Sequence, residues 1–240
     1  SGPLGMGRTV IGNLAFGTVD SIAEALGRVF TQGYDGAFRI SHVGQPEGNY
    51  KEFQHDIRGN ITKIRYVPKP GASDPVYDIE ATYPPDCMNP KTCNRPLTVT
   101  DARDAITTFT YDQNHGGVLT KTLAAVNGIS PVTRYSYVQR YSSLKNASGG
   151  ISPGTEAIWL LAEERTCRTT ATVGNGCAGG PADEVVTGYD YGLTGVANNL
   201  WLRGTTISAD GETLRTCYAR NSRGDLIGET SPAGAGSSCQ

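Results

Sequence analysis

The chain has 240 residues, enough for one large domain or for a slice of a longer repeat array, and it can bury a substantial core. Its 21 Lys and Arg against 23 Asp and Glu give a formal charge of −2 with both signs interspersed, which leaves no basic footprint for nucleic acid or an anionic membrane. No apolar run approaches the 18 or so residues of a spanning helix, and 31 glycines with frequent threonine indicate short strands joined by tight turns.

In chain order, Ser1-Gly2-Pro3-Leu4-Gly5 reads as a protease-site scar, so residues 1–6 are set aside and 7–240 are taken as a single β domain. An engineered start says nothing about a natural leader. Ser21 to Phe30 has Ile22, Leu26 and Val29 at helical spacing. The strand reading is preferred there, because Leu26-Gly27-Arg28 supplies a glycine turn and Val29 to Tyr34 then runs extended into a Tyr-Asp step. That step recurs: an aromatic, an Asp, a glycine turn, then an alternating polar and apolar stretch. It stands at Gly33-Tyr34-Asp35-Gly36, at His55-Asp56-Ile57-Arg58-Gly59-Asn60, and at Tyr111-Asp112 with Gly116-Gly117 after it. Worn copies stand at Tyr189-Asp190-Tyr191-Gly192 and at Tyr218-Ala219-Arg220, with Gly224 beyond. A degenerate repeat of about 20 residues indicates an array of similar supersecondary units.

The physics of one unit is a hairpin. Ile106 to Tyr111 is β-branched and aromatic, as a pleated, half-buried ladder requires. Asp112 can accept backbone N–H bonds in the turn, and the glycines beyond take positive φ without steric cost. Ile61 to Val67 returns, with Ile61, Ile64, Tyr66 and Val67 as inner-face candidates. A lone hairpin is marginal in water, so the units must pair side by side.

At these residues the chain resembles the RHS, or YD-repeat, family. The matching phrases are Leu26-Gly27-Arg28 with Tyr34-Asp35, Pro46 to Tyr50 with His55 to Thr62, Asp101-Ala102-Arg103 with Phe109 to Asp112, and Ser222-Arg223-Gly224-Asp225-Leu226-Ile227. Departures are His55 for Tyr, Ala219 for Asp, and the stretched turn Asn114-His115-Gly116-Gly117. The resemblance implies an all-β fold, an irregular array of hairpins in a twisted or spiral antiparallel sheet that forms part of a β-shell. It also implies a context: bacterial secreted or surface proteins whose shell encloses a toxic C-terminal segment. Asp74-Pro75 lies mid-chain without the Gly-Leu sequel of the family's self-cleavage motif, so the enclosing role belongs to a longer parent.

The six cysteines fall into local pairs, Cys87 with Cys93, Cys167 with Cys177 and Cys217 with Cys239. Six cysteines permit fifteen connectivities, and nearest-neighbour pairing is the economical one. Zinc sites use Cys-x₂₋₄-Cys pairs, often with His; here the gaps are wider and no histidine is near, so no metal and no cofactor is expected. Buried free thiols are the other alternative. Disulfides would place the chain in an oxidising compartment, the periplasm, the cell surface or the exterior.

The candidates for chemistry read as structural. His42 lies on an expected strand, His55 stands where the family has Tyr, and His115 sits in the stretched turn. Glu163-Glu164 and Asp183-Glu184 are sequence neighbours, so on strands each pair points to opposite faces rather than across a substrate. The sequons Asn60-Ile61-Thr62 and Asn146-Ala147-Ser148 are incidental in a bacterial protein, and the Gly-rich stretches lack the context of a phosphate cradle. The chain is therefore expected not to be an enzyme.

Tyr135, Tyr137 and Tyr141 share one face of the strand expected over Thr133 to Tyr141. They are either inter-sheet core or an exposed platform for sugar rings or a partner protein. Asn146 to Gly154 reads as a loop, and Ala157 to Ala162 as a fully buried strand. The expected function is a shell or scaffold segment, partnered by neighbouring repeats and an enclosed cargo, with sheet edges prone to self-association. The alternative is an adhesion module for surface glycans, and a glycoside-hydrolase-like enzyme comes last.

Overall fold

A computed structural model of the chain describes residues 9–13, 16–24, 27–230, 232–234 and 239. The protease-site scar and Leu26 lie outside them. The chain forms two compact units, Ser1–Thr107 and Thr108–Gln240, and the elements of the described residues include antiparallel β-strands and a 3-10 turn at Pro181–Asp183.

The first unit runs β1 (Thr9–Asn13), β2 (Thr18–Ala23), β3 (Val29–Tyr34), β4 (Ile40–Gly44), β5 (Tyr50–His55), β6 (Ile61–Val67), β7 (Tyr77–Thr82) and β8 (Thr98–Thr100). Each strand pairs with the next, so the unit is a meander. The extended reading of the segment after Asp20 therefore holds on the described residues. Register sorts the side chains. Lys51 opposes Tyr66, which opposes Tyr77, while Arg65 opposes Asp78 and Lys63 opposes Glu80. With a period of two, Phe53, Ile64, Tyr66, Tyr77 and Ile79 share one face. Lys63, Arg65, Asp78 and Glu80 share the other, where Lys63 and Arg65 ion-pair with Asp78 at 2.7 and 2.9 Å.

One kind of turn recurs between strands. Asp56 N donates to Asn60 O at 2.9 Å and Gly59 N to Asp56 O at 3.1 Å, while Asp56 Oδ1 accepts the N–H groups of Arg58 and Asn60, both at 2.9 Å. Gly59 has φ 90°, so the fourth residue sits where glycine has no steric penalty. The same backbone bonds close Asp35 to Arg39 and Asp101 to Ala105, where Phe38 (φ 60°) and Asp104 (φ 59°) take the fourth position. An Asx side chain in the first position makes the turn in each case.

The second unit takes up β9 (Ile106–Tyr111) and continues through β10 (Val118–Thr122), β11 (Val132–Lys145) and β12 (Ile151–Cys167). A small hairpin follows, β13 (Thr172–Val173) with β14 (Gly176–Cys177). Then come β15 (Glu184–Tyr191), β16 (Leu202–Ala209), β17 (Glu212–Arg220), β18 (Leu226–Glu229) and β19 (Ala233–Gly234). β9 to β12 pair in order, β15 follows β12, and β17 pairs with both β18 and β19. Asp112, Asn146 and Asn221 head the turns after β9, β11 and β17, the first one residue longer than the others. The expected loop over Asn146 to Gly154 is thus a tight turn, and β12 begins at Ile151.

Two worn copies differ from expectation. Tyr189 and Asp190 lie inside β15, opposite Thr205 and Gly204, because no positive-φ residue stands three places after Asp190. Tyr218 lies within β17, and the turn falls at Asn221, where Gly224 (φ 93°) supplies the missing requirement.

Among the described residues Cys93, 2% exposed, is the one buried apolar side chain; the buried polar side chains are Thr92, Ser143, Asp183 and Asn199. A compact domain of this size would bury about 70% or more of its chain surface around an apolar centre. Here, among the described residues, no such apolar centre forms. For that reason Ala157 to Ala162, expected to be fully buried, is instead part of β12, with Ile158 40% and Trp159 43% exposed.

Candidate functional site

Three features could do more than hold the chain: a rim of linked turns, an aromatic face and a cleft. In the meander of the first unit, alternate connections share a rim. The Arg39 guanidinium binds Asp35 through Nε at 2.7 Å and reaches the next turn on that rim, donating from Nη1 to Asp56 O at 2.6 Å. Arg58 donates onward to Pro84 O at 2.5 Å, and the Asn60 amide to Asn94 Oδ1 at 3.2 Å. His55 Nδ1 lies 3.5 Å from Asp35 Oδ2 on a side chain only 8% exposed. The backbone N–H of Arg39 and its guanidinium hold Asp35 below the ordinary carboxylate pKa. At Asp56 burial opposes ionisation, and the Asn60 side chain with the Asn60 and Arg58 N–H groups outweighs it, so this pKa is lowered too. Tyr34 has its hydroxyl bound to Val19 O at 3.0 Å. Of the expected repeat-turn residues, Asp35, His55, Asp56 and Asn60 thus take part in one set of linked turns in the first unit.

In the second unit Tyr135, Tyr137 and Tyr141 share the face expected for them. The Tyr137 hydroxyl donates to Val118 O at 3.0 Å, and its ring lies 4.6 Å from His115, which stacks on Trp159 at 4.6 Å. Tyr135 opposes Glu164, whose carboxylate accepts from the Tyr189 hydroxyl at 2.6 Å; burial first, and that bond second, push the Tyr189 phenol far up. Tyr141 is 50% exposed. Asn199 fixes the backbone beneath it: its amide donates to Tyr141 O at 2.8 Å and accepts from Ser143 N at 2.7 Å. On the opposite face Arg134 and Arg165 both pair with Glu184, and Arg165 with Glu163. Asp190 pairs with Arg215.

The carboxylates weighed for hydrolysis are thus engaged. Asp183 is engaged most fully, accepting the backbone N–H and hydroxyl of both Thr169 and Thr170 at 2.5 to 3.0 Å. The two threonine hydroxyls, first Thr170, bring its pKa down to about 2. His115 Nδ1 accepts from Gly117 N at 3.1 Å, and the His42 ring lies 4.9 Å from Tyr50. Cys87–Cys93, Cys167–Cys177 and Cys217–Cys239 are bonded pairs, with Cα–Cα distances of 4.8, 5.6 and 5.3 Å inside the range a disulfide spans. Asp183 lies near the Cys167–Cys177 sulfurs, but bonded sulfurs are not thiolate ligands and the Asp183 oxygens are already filled.

The cleft was not foreseen. It measures about 460 Å³ and lies where the β4–β5 turn meets the β6–β7 connection, lined by Gln45, Asn49, Tyr50, Lys51, Tyr66, Asp74 and Tyr77 with Pro68 and Pro75. Its tyrosines come from three consecutive strands, a register effect that no local pattern reveals. The roles of Asn146 and Asn221 were legible in principle, since Asx-x-x-Gly marks both turns as it marks Asp56 to Gly59.

No protein-family model and no curated protein matches this sequence. Solved structures do. The structure titled TcdB2-TccC3-Cdc42 aligns with a TM-score of 0.51 at 13% identity, over 96% of this chain and 12% of its own. That titled TcdB2-TccC3-TEV aligns at 0.49 with 14% identity, over 92% of this chain and 11% of its own. The chain spans a small part of those chains, and at such identities the likeness is one of fold.

Proposed function

We propose that the chain is a wall segment of a bacterial, secreted or surface-displayed RHS/YD-repeat protein, a structural and not a catalytic piece, whose parent encloses or presents a toxin or effector cargo. The observation that carries this reading is the near absence, among the described residues, of buried apolar side chains from strands that nonetheless pair with their neighbours. Such strands are held by their hydrogen-bonded neighbours and leave apolar side chains uncovered across the sheet. In β6 and β7 an aromatic and aliphatic face lies opposite one that carries Lys, Arg, Asp and Glu pairs, and in the second unit Arg134 and Arg165 pair with Glu184 on the side opposite Tyr135, as in a wall between a covered interior and water. The three disulfides support an oxidising compartment, and among the described residues no helix is long and apolar enough to cross a membrane. The fold likeness adds that such sheets occur within much longer chains.

The test is the isolated chain in solution. Light scattering across a hundredfold concentration range should report association, and a dye that fluoresces on apolar surface should bind the folded protein. A monomer at every concentration, with no dye binding, would overturn the reading.

A further inference from the structure

We propose that the outer edge of β12 from Ala157 to Trp159 is a strand-pairing site for a second copy of this chain, joined antiparallel about a two-fold axis at Ile158. The site does not depend on the wall reading. β11 and β12 outrun the strands beside them. β10 pairs with β11 only over residues 132–134, and β15 pairs with β12 only from Glu163 onward. The two long strands pair with each other from Thr133 and Thr166 out to Lys145 and Ile151, so a two-stranded arm stands beyond its neighbours. Side-chain bonds reveal which backbone groups look outward from it. The Leu161 carbonyl accepts from the hydroxyl of Tyr191, at the end of β15, at 2.8 Å. Asn199 donates to Tyr141 O at 2.8 Å and accepts from Ser143 N at 2.7 Å. Tyr137 opposes Leu161, Gln139 opposes Trp159 and Tyr141 opposes Ala157. With a period of two, the N–H and C=O groups of Ala157 and Trp159 point as the Leu161 carbonyl does, away from β11.

The chain closes one edge of the arm and leaves the other open. Asn199, 1% exposed, fills the β11 edge with its amide. On the β12 edge, among the described residues, no strand and no side chain meets the outward groups of Ala157 and Trp159. Ile158 and Trp159 stand there 40% and 43% exposed, and an edge of this kind is a template for another strand. The open stretch is bounded at both ends. Toward Ile151 the register breaks between Tyr141 and Ser143, and Pro153 has no N–H to give. Toward Cys167 the Leu161 carbonyl is already engaged and β15 begins. What remains is self-complementary, since Ala157 and Trp159 each offer one donor and one acceptor on the same side. An axis at Ile158 sets Ala157 opposite Trp159 of the second copy, and Trp159 opposite its Ala157. Each pair then exchanges two backbone hydrogen bonds, and Ile158 meets Ile158. Neighbouring registers are poorer. An axis at Glu156 sets two carboxylates opposite each other. One at Trp159 needs the engaged Leu161 carbonyl, and one at Ala157 needs Thr155, which lies in the irregular stretch.

A pairing this short makes a small interface and a weak dimer, so the experiment is a covalent trap. Residues on the axis form a non-hydrogen-bonded pair with Cα atoms about 4.5 Å apart, a spacing that a disulfide spans. All six native cysteines are bonded to each other, so an introduced thiol has only its own counterpart to meet. On mild oxidation of the 240-residue protein, Ile158→Cys should form a covalent dimer about tenfold faster or more than Ile207→Cys. Ile207 is the more exposed of the two, at 52%, and its strand is paired on both sides. A second set keeps the test open if Ile158→Cys disturbs the arm: Ala157→Cys mixed with Trp159→Cys should cross-link faster than either variant with itself. Equal rates for Ile158→Cys and Ile207→Cys, or a mixed pair no faster than the unmixed ones, would overturn the proposal. Association by light scattering with such uniform thiol rates would remove this edge and leave the wall reading intact. Ile158 dimers trapped from a protein that scatters as a monomer and binds no dye would do the reverse.

Discussion

Removing the Cys167–Cys177 bridge by Cys167→Ser with Cys177→Ser opens a loop whose ends are 10 residues apart. Chain entropy assigns such a loop about 2.7 kcal/mol at 25 °C through the unfolded state. The folded side should change little, because Asp183 holds Thr169 and Thr170 by four hydrogen bonds independent of the sulfurs. The loss should therefore appear as stability and not as a new conformation. With a urea m value of about 2 kcal/mol/M, the midpoint should fall by about 1.3 M with m unchanged. Trp159 and Trp201 both lie in the unit that carries the bridge, so tryptophan fluorescence reads the relevant transition. A midpoint change below about 0.5 M would refute the entropic reasoning. A changed m would mean that the bridge shapes the folded or unfolded ensemble instead.

Other outcomes follow from the turns and the aromatic face. Gly59→Ala places a side chain at φ 90° and should cost about 1 kcal/mol or more, read as a lowered urea midpoint; an unchanged midpoint would remove the turn from the account of stability. Tyr189→Phe should cost about 1–2 kcal/mol, since Glu164 loses the 2.6 Å hydroxyl bond, and a neutral result would mean that water replaces it. The carboxylates of Asp35, Asp56, Asp101 and Asp183 all have folded pKa values lowered below the unfolded ones. Their stabilisation is therefore complete above the ordinary carboxylate range near about 4 and is lost as pH falls through the folded values. For Asp183 that window reaches down to about 2. Urea midpoints measured from pH 7 downward should stay level and then decline across it; a decline beginning at neutral pH would contradict the assignment.

The repeat was readable because its requirements are local. Asp56, Gly59 and Asn60 build a turn from their own backbone and side chains, and the same spacing would have found Asn146 and Asn221. Tyr189-Asp190 misled for the same reason: the pair is present, but the residue that must turn the chain is not. Burial was less legible. Ala157 to Ala162 is apolar enough for a core strand, yet whether a strand is covered depends on a second layer, which a sequence pattern can imply and not supply. The cleft was invisible because Tyr50, Tyr66 and Tyr77 meet only through the register of β5, β6 and β7. Asp183 was read as half of an acidic pair, whereas its neighbours Thr169 and Thr170 turn it into a clamp.

The three bridges share a property that bears on how such a chain changes over generations. Each closes a short stretch, with separations of 6, 10 and 22 residues. A covalent link between distant strands would fasten the order of the hairpins, so that gaining or losing one would strand a cysteine. Here every crosslink is inherited together with the stretch it spans. Copying or deleting that stretch carries both sulfurs at once, and the remaining hairpins keep their nearest neighbours. An array built this way can lengthen or shorten without passing through a form that bears an unmatched thiol.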